Sequence, residues 1–217
     1  MSAMKGNSPV ALFMIVALVA GLSAAGAMMF WPEPERDLRP EEMVGTVLPQ
    51  ARVLPEVTLK DHQGDTWTQA DLDGGWHYLF FGFTHCPDVC PMTLATLAGA
   101  MQELERDGVE EMPAGVFVTV DPRRDTPAVM ADYVAHFHDD FVGVTGSREE
   151  IDRLTQSLGI SYTLHEPDAN GDYAVDHSAA ILLIDPQGRL RALWQPPHGR
   201  DVLAEEYRRI QQRFPSA

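Results

Sequence analysis

The chain has 217 residues, with 16 Lys and Arg against 32 Asp and Glu, a formal net charge of −16. That balance lacks the cationic face phosphate binding needs and argues against nucleic acid as a partner, while 45% hydrophobic and 22% charged residues exclude wholesale disorder. Two cysteines are too few for a disulfide scaffold or a four-cysteine zinc site.

The first element is an uncharged run from Val10 to Trp31, broken only by Gly21, Ser23 and Gly26. At ~1.5 Å per residue it spans ~33 Å, enough to cross a bilayer core. Lys5 precedes it, and every acidic residue follows it, from Glu33 onward. Positive charge favours the cytoplasmic side, so residues 1–9 are expected in the cytoplasm and the bulk of the chain beyond the membrane. An uncleaved anchor over 10–31 and a cleaved secretory signal ending near Ala25-Gly26-Ala27 both export the rest. The length of the run favours the anchor, and with it a single-pass protein of a bacterial inner membrane whose C-terminal domain faces the periplasm.

Residues 32–53 read as a linker, with Pro32, Pro34, Pro40 and Pro49 among charged residues, a composition that is extended and semi-rigid. Residues 54–217 read as one α/β domain. Trp76 to Phe83 (WHYLFFGF) suits a strand buried on both faces. A helix follows from Met92 to Arg106, with Leu94, Leu97, Ala98, Met101 and Leu104 at helical spacing. Gly115 to Val120 is a second buried strand. Thr126 caps a helix that has Pro127 in its first turn and Met130, Tyr133, Val134 and Phe137 on its apolar face. Phe141 to Val144 is a short strand. Ser147 and Glu150 suggest a capping box for a helix carrying Ile151, Leu154 and Leu158 and closed by Gly159. Ala179–Ile184 and Leu190–Trp194 flank Asp185-Pro186-Gln187-Gly188 as a hairpin. A last helix opens at Asp201, with Leu203, Tyr207 and Ile210 inward. Parallel crossovers followed by an antiparallel pair predict a thioredoxin-like mixed sheet with flanking helices.

Chemistry centres on Cys86 and Cys90, directly after the first buried strand and before its helix. Pro91 fits that helix's first turn, and thiolates there gain from free N–H groups and the positive helix end. The pair lies at a strand's carboxyl end, where open α/β sheets hold ligands. The usual redox spacing is Cys-x-x-Cys, and here three residues intervene. On spacing alone, a soft metal site suited to Cu(I) and a dithiol–disulfide couple remain equal alternatives.

Phe81 to Pro91 (FGFTHCPDVCP), Val120 to Pro127 (VDPRRDTP) and Asp176 to Asp185 (DHSAAILLID) resemble, in order, the signature segments of the Sco/SenC family of copper-binding assembly proteins, and Gly143 to Ser147 (GVTGS) fits between the last two. The resemblance covers roughly Leu54 to Phe214. It implies a thioredoxin-like fold that binds one copper, as Cu(I) or Cu(II), through Cys86, Cys90 and His177. Without it, His177 at the start of a buried strand reads as a satisfied polar residue. Asp121, Asp125, Asp176 and His85 are candidates for places around the ligands. Asp125 reads by itself as part of the helix start beside Thr126, and Met92 as a core side chain. His62, His77, His165 and His198 have no convincing partners in the sequence.

The implied function is a membrane-anchored copper metallochaperone that helps to mature the dinuclear copper centre of cytochrome c oxidase subunit II, with that subunit and a copper donor protein as partners. Two alternatives stay open. One is a thiol–disulfide oxidoreductase working through Cys86 and Cys90 to reduce the client's copper-site cysteines. The other is a copper or redox sensor.

Overall fold

The structure is a computed structural model and describes residues 43–215. Residues 1–9, the apolar run 10–31 and the linker as far as 42 lie outside the described residues. No helix among the described residues is long and apolar enough to cross a membrane.

The linker expected to reach Val53 ends sooner. Thr46–Val53 forms a strand, β1, antiparallel to the strand Arg189–Trp194. Pro49 is compatible with it because β1 is the outermost strand of its sheet, and the register shifts between Val47 and Arg52. The approach to β1 is fixed by buried Glu206. Its carboxylate accepts the N–H groups of Val44 (2.6 Å) and Gly45 (2.9 Å) and the Trp194 indole N–H (2.6 Å).

A small hairpin follows, β2 (Thr58–Asp61) and β3 (Thr66–Thr68), with Leu59 paired to Trp67 and both buried. Then come β4 (His77–Gly82), α1 (Val89–Arg106), β5 (Ala114–Thr119), α2 (Pro127–Ala135), β6 (Val142–Thr145) and α3 (Arg148–Leu158). The chain continues through β7 (Tyr162–Leu164), β8 (Val175–His177), β9 (Ile181–Ile184), β10 (Arg189–Trp194) and α4 (Arg200–Arg213). Eight strands form one sheet in the order β1-β10-β9-β4-β5-β6-β2-β3. β4, β5 and β6 are parallel, and the other pairings are antiparallel. Among the described residues β7 and β8 pair only with each other, as a separate two-stranded hairpin.

The central strands are apolar on both faces because neighbours cover both. Tyr78, Leu79, Phe80 and Phe81 are all fully buried, as are Phe117 and Val118 of β5. Helix starts follow their caps. Thr126 Oγ1 accepts the Val129 N–H, with Pro127 in the first turn. Ser147 Oγ accepts the Glu150 N–H at 3.3 Å. The second half of the expected capping box is spent elsewhere: the Glu150 carboxylate accepts the Thr58 N–H at 3.1 Å and pairs with Arg153, tying α3 to β2. Gly159 ends α3 at φ +74°, a left-handed conformation that favours glycine. Helix α1 begins at Val89, a turn before the expected Met92, so Cys90 is helical.

Candidate metal centre

Because β4 and β5 are parallel and in register, with Gly82 beside Thr119, they end at the same sheet edge. The loops that follow meet there. The first carries Cys86, whose N–H donates to the Phe83 carbonyl at 3.2 Å, and it delivers Cys90 as the second residue of α1. Cys90 is fully buried against β4. A Cβ added to Gly82 would lie 2.6 Å from Cys90 Sγ and 2.8 Å from the Phe117 ring, so glycine at the strand end makes the room for the sulfur.

His177 arrives from the β7–β8 hairpin. It ends β8 rather than starting the next buried strand, which begins at Ile181. Its Nε2 lies 3.3 Å from Cys90 Sγ. The two Sγ atoms and one imidazole nitrogen all lie within 4.8 Å of one another. His177 Nδ1 is 3.0 Å from the Ser178 carbonyl, a partner that accepts only, so Nδ1 carries the proton and Nε2 presents a lone pair toward the sulfurs. Burial pushes the His177 pKa below its ordinary value, which keeps the ring neutral near pH 7. The rings of Phe80 and Phe83 contact it edge-on, with centroids 6.1 and 5.8 Å away.

The two thiols differ. Cys86 is half-buried, and the Cys90 N–H, a free donor of the first helical turn, points at its sulfur at 3.4 Å. Burial pushes the Cys90 thiol well above the ordinary range, and the neighbouring Cys86 sulfur adds to the rise. In the metal-free protein, iodoacetamide is therefore expected to modify Cys86 at least about tenfold faster than Cys90. Peptide mass spectrometry after timed quenching reads the ratio, and equal rates would contradict the assigned asymmetry.

The remaining candidates divide. Asp125 is fully buried, and it serves the cysteine loop rather than the helix start. Its carboxylate accepts the Thr84 N–H (3.0 Å), the Thr84 hydroxyl (2.6 Å) and the Thr119 hydroxyl (2.5 Å). Asp121, also fully buried, accepts from Arg124 and from the Tyr173 hydroxyl. Asp176 does not face the sulfurs: it is exposed and pairs with His165 at 2.7 Å. His85 is exposed, with Nδ1 3.1 Å from the Thr84 hydroxyl, and lies outside the donor group. Met92 is 58% exposed, which overturns its reading as a core residue, because the earlier helix start turns it outward. The four histidines without sequence partners have them in the fold. His62 Nδ1 accepts the Gly143 N–H, His77 bonds the Gly75 carbonyl, His165 pairs with Asp176, and His198 Nε2 lies 2.7 Å from the Ala179 carbonyl.

Two thiol sulfurs and a neutral imidazole form a soft donor set that fits a thiophilic ion. Among the described residues this is the one such group of Cys, His, Asp or Glu placed to share a metal. Fold and site together define the class: a thioredoxin-like protein with a Cys-Cys-His metal centre at the carboxyl edge of its parallel strands. The chain belongs to the SCO1/SenC family, whose model matches residues 46–212. It is 36% identical over 202 residues to the Protein SCO2 homolog, mitochondrial, of Bos taurus, covering 92% of this chain and 76% of that one. Among solved structures, Arabidopsis thaliana ScoI with copper bound superposes at a TM-score of 0.70 and 33% identity, over 75% of this chain and 99% of that one. Yeast Sco1 with copper bound gives 0.71 and 27%, over 76% and 92%.

Proposed function

We propose that this protein is a copper metallochaperone that holds one copper between Cys86, Cys90 and His177 and passes it to a copper-receiving protein, with subunit II of cytochrome c oxidase as the client. The single observation that carries the reading is the position of His177. A residue 87 positions from Cys90 in sequence presents an unprotonated nitrogen 3.3 Å from its sulfur. The copper-bound relatives and the family membership support copper as the cargo.

Each residue has a part in holding and releasing the ion. Cys86, the accessible sulfur, is the one an incoming thiol meets first. Cys90, buried and protonated when metal-free, gives up a proton as the ion is taken, so loading is coupled to proton release. His177 supplies a neutral donor without adding negative charge. Oxidation of the two thiols to a disulfide removes two donors at once, so redox state and copper loading exclude each other. A thiol–disulfide exchange function is favoured by one observation, the pairing of an accessible and a buried cysteine. It gives His177 no task.

We further propose that residues 10–31 anchor the chain in a bacterial inner membrane, with 32–45 as a spacer and the domain in the periplasm. The uncharged run, Lys5 before it and the acidic chain after it support that placement.

The test is an anaerobic Cu(I) competition titration of the full chain in detergent beside His177→Ala. One tightly bound Cu(I) per chain is expected, weakened at least about tenfold, ~1.4 kcal/mol, by the substitution. Binding indifferent to His177 would overturn the three-ligand site and favour thiol exchange.

A further inference from the structure

Among the described residues the hairpin that carries His177 has no ladder to the main sheet, so contacts other than strand pairing help to fix its distance from the cysteines. We propose that Arg124 is a positioning residue for His177: with Asp121 and Tyr173 it clamps the β7–β8 hairpin onto the loop after β5. This inference rests on the three-ligand reading above and names what holds its third donor in place.

The clamp is built from both sides. Arg124 lies in the loop after β5, with its Nε–H donating to the Asp121 carboxylate. Its Nη1–H donates to the carbonyl of Tyr173 at 3.2 Å, four residues before His177. The Tyr173 ring lies against the same guanidinium, 3.8 Å from Cζ to the ring centre, and the Arg123 guanidinium approaches that ring at 5.9 Å. The Tyr173 hydroxyl closes the loop by donating to the other Asp121 oxygen at 2.7 Å. One residue of the hairpin is thus gripped by its carbonyl, its ring face and its hydroxyl.

The grip reaches the ligand by a second route. The Arg124 guanidinium lies 5.7 Å from the centre of the Phe83 ring, and Phe83 meets the His177 ring edge-on. Arg124 Nη2 is buried without a hydrogen-bond partner among the described residues. Leaving a guanidinium N–H unpaired in the interior is costly, and the placement makes sense where the flat cation is needed against the rings of both Tyr173 and Phe83. Asp121 is fully buried and spends its two oxygens on Arg124 and Tyr173, so it faces the clamp and not the sulfurs.

The experiment uses the full chain in detergent as wild type, Arg124→Gln, Tyr173→Leu, His177→Ala and the Arg124→Gln/His177→Ala double variant. Three quantities are read: Cu(I) affinity by anaerobic competition, the nitrogen scatterer in copper X-ray absorption, and amide hydrogen exchange of the copper-free protein over residues 174–178. Partners that orient a metal ligand are worth about 10–100-fold in affinity. Arg124→Gln is expected to weaken copper by that order, to lose the nitrogen scatterer, and to speed exchange over 174–178 while β4 and β5 stay protected. The double variant is expected to bind no more weakly than His177→Ala alone, because both remove the same donor. Tyr173→Leu, at a half-buried position of an otherwise exposed loop, is expected to change all three readouts in the same direction, and it decides the matter should Arg124→Gln not fold. Wild-type affinity with the nitrogen retained in a folded clamp variant, or a loss that adds to that of His177→Ala, would overturn the clamp. If His177→Ala itself leaves affinity unchanged, the three-ligand reading falls, and the exchange rates of the copper-free protein still decide whether Arg124 holds the hairpin.

Discussion

Replacing Gly82 with alanine is expected to damage the copper site more than most changes to charged residues around it. The added Cβ would sit 2.6 Å from Cys90 Sγ and 2.8 Å from the Phe117 ring, closer than such atoms approach. Neither neighbour is a flexible tip. Cys90 is fixed by its place in the first turn of α1, and Phe117 is fully buried, stacked on Phe80 and in tilted contact with Tyr133. Overpacking a well-filled core costs about 1–3 kcal/mol. If Cys90 yields, the cost appears as misplacement of a ligand sulfur, and the same energy becomes a loss of about ten- to hundredfold in Cu(I) affinity. If the sheet yields, it appears as lost stability. Paired anaerobic titration and urea unfolding of Gly82→Ala read both quantities. A variant with wild-type values for each would show that β4 and α1 can separate at no cost.

Gly82 also marks a limit of sequence reading. The apolar run Trp76 to Phe83 announces a buried strand, and the structure places β4 within it, because continuous burial leaves a continuous pattern. What a glycine near the end of that run is for depends on what packs opposite, and the helix over it is known only once the chain has folded. The same distinction separates the other elements. The helices at 127–135 and 148–158 carry apolar spacing and start signals inside their own sequence, and both start where these predict, although the first ends before Phe137, which the spacing places on its apolar face. β1, β2, β3, β7 and β8 do not. The last four have three or four residues each, too few to show a period, and β1 is an edge strand with a proline. β1 is stabilised by β10, far along the chain, through pairs such as Arg52 with Leu190.

The site divides in the same way. Cys86 and Cys90 are legible because their spacing, the strand before them and Pro91 after them are all local. His177 is legible only through the resemblance of Asp176-His177-Ser178 to a family segment, since nothing local distinguishes it from a polar residue at a strand end. Arg124 and Tyr173 leave no local trace of their joint role. Arg124 sits among charged residues of a turn and Tyr173 in an acidic loop, and their meeting is a product of the fold.

Asp125 reads locally as part of a helix start, but its partner Thr84 lies 41 positions away. Truncating it to alanine is expected to cost roughly 1–4 kcal/mol, about 1–3 kcal/mol for the buried Thr119 hydroxyl left unpaired and up to about 1 kcal/mol for the half-buried Thr84 N–H. The upper end is a large share of the ~5–15 kcal/mol that holds a typical domain folded. The cost falls first on the cysteine loop, because Thr84 hangs that loop from Asp125 two residues before Cys86. Asparagine is expected to behave differently. Its carbonyl oxygen in the place of Oδ2 still accepts from the Thr84 N–H and the Thr119 hydroxyl. Its NH2 in the place of Oδ1 donates to Thr84 Oγ1, whose own proton turns to His85 Nδ1 at 3.1 Å. The exchange conserves the number of hydrogen bonds and loses the charge, for a cost of about 1 kcal/mol. Urea unfolding of the copper-free chain, followed by tryptophan fluorescence, is expected to rank wild type above Asp125→Asn and both above Asp125→Ala, with Cu(I) affinity in the same order. Equal stability of the two variants would mean that the negative charge, not the hydrogen-bond geometry, is what the cysteine loop requires.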